Sequence, residues 1–368
     1  MPRIDFAKYD FSLIAFTSLA VIFGAFMVFS SSAIMADARG ASPFMFFLKQ
    51  LLWLVFGFAA MFITAFVINY KFYQKYAKWI YLVAFIFLIA VLIFGVTRGG
   101  AKRWLHLGFF TFQPSELAKF ASVAIMASFI AKKKEFIAQW EGLVVPIAML
   151  LIMIVPIFLE KDLGTPILIA SVCIAMLVCA GIKIQAIAAS AAIGIVAVAA
   201  AIMKVEYRRT RFIDYLNSFI NIDAAAYQVK HALYAFGSGG FFGKGLGKSE
   251  LKMMYLPEAH TDFIFPVIGE ELGFLFGALP IMAFFIFIFL KGIKISKNAP
   301  DDFARYLALG ITFLIVFQAL INMSVATGNF PAKGLPLPFI SFGGTSIVIT
   351  MAVSGILINL SQYSKRKV

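Results

Sequence analysis

LPEAHTDFIFPVIGEELGFLFGALPIMAFFIFIFL, residues 256–290, decides the fold. Between Phe263 and Leu290 the only charged residues are Glu270 and Glu271. A run so long and so apolar crosses the ~30 Å hydrocarbon core of a bilayer as an α-helix. Just before it stand Pro257, which ends any preceding helix, and the polar group Glu258, His260, Thr261 and Asp262. The stretch therefore places an ionisable turn at a membrane surface and anchors it with a span.

Outward from this stretch the chain repeats its apolar half. Of 368 residues, 62% are hydrophobic and 14% charged, with a mean hydropathy of +0.93, which excludes a soluble globule. Spans are predicted over residues 11–33, 44–68, 79–97, 115–131, 143–159, 165–182, 184–203, 263–290, 306–327 and 341–361. All are expected to be helices, because hydrocarbon offers backbone groups no water and the runs are too long and uniform for barrel strands. The expected fold is an all-α integral membrane protein of ten transmembrane helices. It forms one membrane domain over residues 1–368, with a large extracytoplasmic segment, 204–262, between spans seven and eight. No internal repeat, low-complexity linker or separate soluble domain is visible.

Short loops set the orientation. Lys71, Lys75, Lys78, Lys132, Lys133, Lys134, Lys183, Lys291, Lys294, Lys297, Lys365, Arg366 and Lys367 fall on the side of the N-terminus, which is cytoplasmic by the positive-inside rule. Arg98, Lys102 and Arg103 are the exception on the outer side. The first span follows a short polar start without a small-residue cleavage pattern and reads as a retained anchor. Cys173 and Cys179 lie in one span on different helix faces, so neither a disulfide nor a metal site is expected. The net charge of +14 sits in loops beside spans, which suits anionic lipid rather than nucleic acid.

The irregular connections, 98–114, 160–162, 204–262 and 328–340, all fall on the outer side. Within 204–262, Tyr227–Phe236 reads as a short amphipathic helix. Gly237–Lys248 is glycine-rich: either a flexible loop or a nest of amides for an anion, with Ser238 and Lys244 beside it. Its spacing does not fit a nucleotide-binding loop. Asp262 alone would read as a helix cap. In the company of His260, Glu258 and the outer cations, it reads as a carboxylate to which an anionic substrate is drawn. Glu270 and Glu271, roughly 12 Å deeper along the helix, read as structural or cavity-lining.

Pro114, Ser115 and Glu116 mark a helix start, and Glu116 and Lys119 are spaced to pair on one face. That pair either fixes helix packing or, with Arg98, Lys102 and Arg103, lines the route of a phosphorylated headgroup, for which the arginine fork is suited. Asp162 sits in a tight turn that re-enters the membrane. The last connection, Thr327–Ser346, is too rich in Pro and Gly for a regular helix, and Ser341, Thr345 and Ser346 serve either a headgroup or helix packing.

Five segments carry a resemblance: Lys102–Lys119 (KRWLHLGFFTFQPSELAK), Asp162–Pro166 (DLGTP), Gly237–Gly247, Leu256–Gly273 (LPEAHTDFIFPVIGEELG) and Gly328–Ser346 (GNFPAKGLPLPFISFGGTS). Together they resemble the SEDS family of cell-wall polymerases, which contains FtsW, RodA and SpoVE. The run Pro331–Leu335, with Lys333, resembles the FtsW branch. Phe342 and Thr345 stand where the family often has tyrosine and serine.

The resemblance implies a peptidoglycan glycosyltransferase that polymerises lipid II into β-1,4 glycan strands at the outer face of the cytoplasmic membrane during cell division, inverting the donor anomeric carbon. It implies Asp262 as the catalytic carboxylate. The candidate substrate-binding residues are Arg98, Lys102, Arg103, Trp104, Glu116, Lys119, Asp162, Ser238, Lys244, His260, Lys333 and Ser341. A divalent cation, Mg2+ or Mn2+, would suit the pyrophosphate, although the sequence names no ligands for it. Expected partners are lipid II, nascent glycan, membrane lipids, a class B penicillin-binding transpeptidase and divisome regulators. An elongation polymerase, a lipid II flippase and a noncatalytic division scaffold are the alternative readings.

Overall fold

The computed structural model describes residues 8–38, 40–98, 101–108, 110–137, 141–183, 203–204, 206–218, 225–250, 259–331 and 334–364, with isolated positions between 184 and 202. Its elements are α1 (Phe11–Ala38), α2 (Met45–Phe62), α3 (Tyr70–Phe94), β1 (Val96–Arg98), β2 (Ala101–His106), β3 (Thr111–Phe112), α4 (Pro114–Ile137), α5 (Val144–Leu159), α6 (Gly164–Cys179), α7 (Glu206–Ser218), α8 (Tyr227–Gly239), α9 (Ile264–Gly273), α10 (Leu279–Lys297), α11 (Asp302–Ala326) and α12 (Gly344–Ser364).

Among the described residues, seven helical segments are long and apolar enough to cross a bilayer, and α5 and α6 are shorter apolar helices. These nine match nine of the expected spans; the expected span 184–203 lies largely outside the described residues. Several bounds differ from expectation for local reasons. α3 begins at Tyr70 because the Asn69 side chain accepts from Lys71 N at 3.0 Å and caps it. α12 begins at Gly344, which leaves Ser341 in the preceding loop. The long span after Asp262 is α9 and α10 joined by a wide π-type turn, Phe274–Ala278, where Gly273 takes φ 74.

The connection over 98–114, expected to be irregular, is instead a three-stranded antiparallel meander in the order β1-β2-β3. The 204–262 segment holds α7, which the sequence reading lacked, and α8, which extends the expected amphipathic helix to Gly239.

Helices α4 and α11 form the middle of the bundle: 83% and 78% of their span-forming windows are buried, against 22% for α3. α11 packs on α10, α4 and α6, and α12 packs on α2. Small residues allow the close approaches that helix association in lipid favours: Gly310 lies against Val123 and Met176, and Gly292 against Thr312.

The chain between α11 and α12 re-enters the bundle. Leu335, Leu337, Phe339 and Ile340 are each at most 2% exposed, and Phe339 takes φ 68. The loop crosses the middle of α1 at Gly24, where a Cβ would come within 2.6 Å of Ile340 Cα. Irregular backbone is tolerated at this depth because protein surrounds it.

Candidate active site

Asp262 lies in the turn that leads into α9, with its side chain partly exposed. The cap position of α9 belongs to Phe263 and takes no side-chain hydrogen bond, so Asp262 stands one residue before the cap. The turn is held by its carbonyls. His260 O accepts from Phe342 N at 2.9 Å, Thr261 O from Ser341 Oγ at 2.6 Å, and Asp262 O from Asn322 Nδ2 at 2.8 Å. All three donors come from α11 or the re-entrant loop, so these elements fix the main chain under Asp262. Gly334 packs directly against Asp262 Oδ2, which a side chain at that position would have to displace.

Of the other expected site residues, His260 and Ser341 join this turn. The His260 ring packs between Phe46 and Phe342, with centroids at 4.7 and 5.5 Å, and is 6% exposed. Ser341 also accepts from Leu337 N at 2.8 Å, so its hydroxyl ties loop to turn. Lys333 lies outside the described residues, next to Gly334 in sequence.

Glu116 and Lys119 form a buried ion pair at 2.8 Å, each 3% exposed. Lys119 also donates to Gln318 Oε1 at 2.7 Å, and Ser346 Oγ donates to Glu116 at 2.9 Å. A small cavity lined by Glu116, Lys119, Gln318 and Pro338 adjoins the pair.

The meander places Lys102 on its exposed face and Trp104 half-buried opposite Val96. Arg98 ends β1, with its side chain outside the description. Arg103 donates to Glu160 O at 3.4 Å and Lys161 O at 2.7 Å, so its guanidinium closes the C-terminal end of α5. Asp162 opens α6: Oδ1 accepts from Gly164 N at 2.9 Å and Thr165 N at 3.3 Å, and Oδ2 from Thr165 Oγ1 at 2.7 Å. Glu160 is 1% exposed, and its carboxyl oxygens have no hydrogen-bond partner among the described residues. Burial, aided by Asp162 and opposed by Arg103, pushes its pKa up to about 9.

The glycine-rich loop encloses an anion, and that anion is Glu270. Its carboxylate accepts from Ser249 Oγ at 2.5 Å, Lys244 Nζ at 3.1 Å, Ser238 Oγ at 3.2 Å and Glu250 N at 3.2 Å. Ser238 and Lys244 therefore meet the protein's own carboxylate. Glu271 takes both bonds of Ser30 Oγ, at 2.8 and 2.7 Å. Both glutamates thus bond to side chains of the protein itself.

Sequence reasoning missed Gln318 and Asn322. Their only signal was two carboxamides four residues apart, hence on one face, in an otherwise apolar span. Among the described residues no group of three or more His, Cys, Asp or Glu side chains comes together in a way that could hold a metal ion.

The chain has close relatives. It is 38% identical over 364 residues to a protein of Geobacter metallireducens named probable peptidoglycan glycosyltransferase FtsW, covering 98% of this chain and 96% of that one. It is 36% identical to stage V sporulation protein E of Bacillus subtilis, covering 97% and 98% of the two chains. A solved chain from a peptidoglycan synthase complex, described as coordinating polymerization and crosslinking, shares the fold at a TM-score of 0.78 and 22% identity, over 96% of this chain and 97% of that one. The family model for the cell cycle proteins FtsW, RodA and SpoVE matches residues 10–366, and the chain belongs to that family.

Proposed function

We propose that the chain is a peptidoglycan glycosyltransferase that polymerises lipid II at the outer face of the cytoplasmic membrane, with Asp262 as its general base. The observation that carries this reading is the state of Asp262: partly exposed, one residue before the α9 cap position, and set on a main chain whose three successive carbonyls are anchored by neighbouring elements. A base needs that combination of access and fixed position. The names of its relatives support the same activity.

In the reaction, the Asp262 carboxylate takes the proton of the acceptor sugar's 4-hydroxyl. The oxygen attacks the anomeric carbon of the donor from the face opposite the α-linked pyrophosphate. A β-1,4 bond forms, the carbon–oxygen bond to pyrophosphate breaks, and the lipid pyrophosphate leaves with its electron pair. Lys102, exposed on β2, with Arg98 and Lys333, supplies positive charge for that leaving group. Arg103, Asp162, Ser238 and Lys244 hold the scaffold around the site.

The full topology we infer has ten spans, both termini in the cytoplasm and residues 204–262 outside. We assign the chain to the division septum, with a class B transpeptidase and divisome regulators as partners. Lys119, Glu270 and Glu271 each bond to neighbouring side chains, which favours polymerisation over translocation along a charged path.

The test is polymerisation of labelled lipid II by the purified chain with its cognate transpeptidase, comparing wild type with Asp262→Asn at equal thermal stability. Glycan strands from the wild type and none from the variant support the assignment. Equal polymer from both removes Asp262 from the chemistry, and translocation of lipid II without polymer replaces the polymerase with a flippase.

A further inference from the structure

Two carboxamides on α11 join the Asp262 turn to the buried ion pair of α4. Lys119 donates to Gln318 Oε1 at 2.7 Å, and Gln318 Nε2 donates to Pro336 O at 2.8 Å. The neighbouring carbonyl, Leu335 O, accepts from Asn322 Nδ2 at 2.7 Å, and the same nitrogen donates to Asp262 O at 2.8 Å. Gln318 is 3% exposed and Asn322 2%. Ammonium groups only donate, so Lys119 forces the Gln318 oxygen toward itself and the amide hydrogens toward Pro336. The ion pair thereby fixes which way the re-entrant strand 334–337 is held. That strand carries Gly334, which touches Asp262 Oδ2.

We propose that Asn322 and Gln318 are positioning residues for glycosyl transfer, and that Glu116 and Lys119 act on Asp262 through them rather than on the substrate. The inference rests on Asp262 being the general base. Without Asn322, the Asp262 main chain and the Leu335 strand lose their common donor, and the gap between the carboxylate and Gly334 opens. The base then meets its proton from a worse angle, while the surfaces that bind substrate stay unchanged. The signature is a loss in kcat with KM preserved.

The experiment measures kcat and KM for lipid II polymerisation by the full chain with its transpeptidase, alongside thermal unfolding. Asn322→Ala is expected to lower kcat by about tenfold or more, with KM within about twofold. Asn322 Oδ1 has no hydrogen-bond partner among the described residues, so Asn322→Asp removes donors while keeping shape. When protonated, the new acid regains one donor, so the activity of Asn322→Asp relative to wild type should rise as pH falls. Gln318→Met should lower kcat less, and the double variant Asn322→Ala with Gln318→Met should lose less than the product of the single losses, because both act on one strand.

A rise in KM at unchanged kcat, multiplicative losses, or a pH-independent ratio for Asn322→Asp would overturn the proposal. The last readout decides the matter if Asn322→Ala does not fold. Asp262→Asn, run beside these, separates two failures. If it polymerises normally, the base assignment falls. If it is inactive while both Asn322 variants match wild type in kcat, the positioning role alone falls.

Discussion

Asp162 and Asp262 carry the same side chain into opposite circumstances. Asp162 uses both oxygens on the first turn of α6, whereas the α9 cap position next to Asp262 takes no side-chain bond. Removing a helix cap typically costs about 1 kcal/mol, so Asp162→Ala should lower the stability by about that much, with a lower midpoint of thermal unfolding, and Asp162→Asn by less. Calorimetry or a thermal-shift scan in detergent measures both. Glu160 gives a second prediction, with its sign set by linkage. Its folded pKa of about 9 lies above the ordinary 4.5, so between these values the folded chain holds a proton that the unfolded chain has released. Stability therefore falls as pH rises through that window, and Glu160→Gln should remove this component from a plot of unfolding midpoint against pH. A slope unchanged by the substitution would refute the assignment. At this scale the sequence made Asp262 legible, because a carboxylate between a helix breaker and a span is rare. It left Asn322 and Gln318 obscure, because a carboxamide in a span reveals neither its partner nor its orientation.

Elements follow the same division between periodic and non-local information. The long apolar runs announced the helices, since burial in lipid is written residue by residue. The meander, the wide turn after Gly273 and the fold-back of the glycine loop depend on contacts between distant segments. The loop's composition suggested a nest of amides for an anion; the Glu270 carboxylate is held instead by the side chains of Ser238, Lys244 and Ser249 and by the Glu250 amide, an arrangement that shows only once Gly239 and Gly243 are packed against α9. Glu270→Gln keeps the shape and removes the charge. Exchange of the Lys244 and Gly245 amides, which donate to the carbonyls of Glu270 and Glu271 at 2.9 Å, should then accelerate. A tenfold change corresponds to about 1.4 kcal/mol of local stability. Unchanged exchange would mean that glycine packing alone holds the loop. At the other crossing, Gly24→Leu places a side chain where α1 meets Ile340 and must displace the re-entrant loop. Polymerisation should fall with it, by more than for a leucine placed at the exposed Ala15 of the same helix, as initial rates of labelled-strand synthesis would record.

At the scale of the whole molecule, the beginning and end of the chain are stitched together. Asp10 N donates to Ser361 Oγ at 2.9 Å, Thr64 Oγ1 to Ala352 O at 2.7 Å, and Asn359 Nδ2 to Ala65 O at 2.7 Å. The lipid-facing exterior is made of the outward sides of α1, α2, α3 and α10, where large apolar side chains such as Phe26, Val55, Ile86 and Leu290 are exposed. Those sides were legible as hydropathy; which helix lies beside which was not.

The stitching has a consequence for biogenesis. Spans enter the membrane in the order of synthesis, so α1 and α2 wait in lipid while nearly the whole polypeptide is translated, with Gly24 and Thr64 turned toward a neighbour that does not yet exist. Insertion of the segment leading into and through α12 supplies the Ile340 backbone that packs on Gly24 and the Ala352 carbonyl that joins Ala60 and Met61 as an acceptor for Thr64. The Asp262 turn, whose anchors include Ser341 and Phe342, is therefore completed only after the chain leading into α12 has been made, and a chain lacking α12 leaves the face of α2 that α12 covers without its partner. Chains stopped before Gly344 should be cleared rapidly in a pulse-chase measurement, and co-expression of the missing segment as a separate peptide should restore their lifetime.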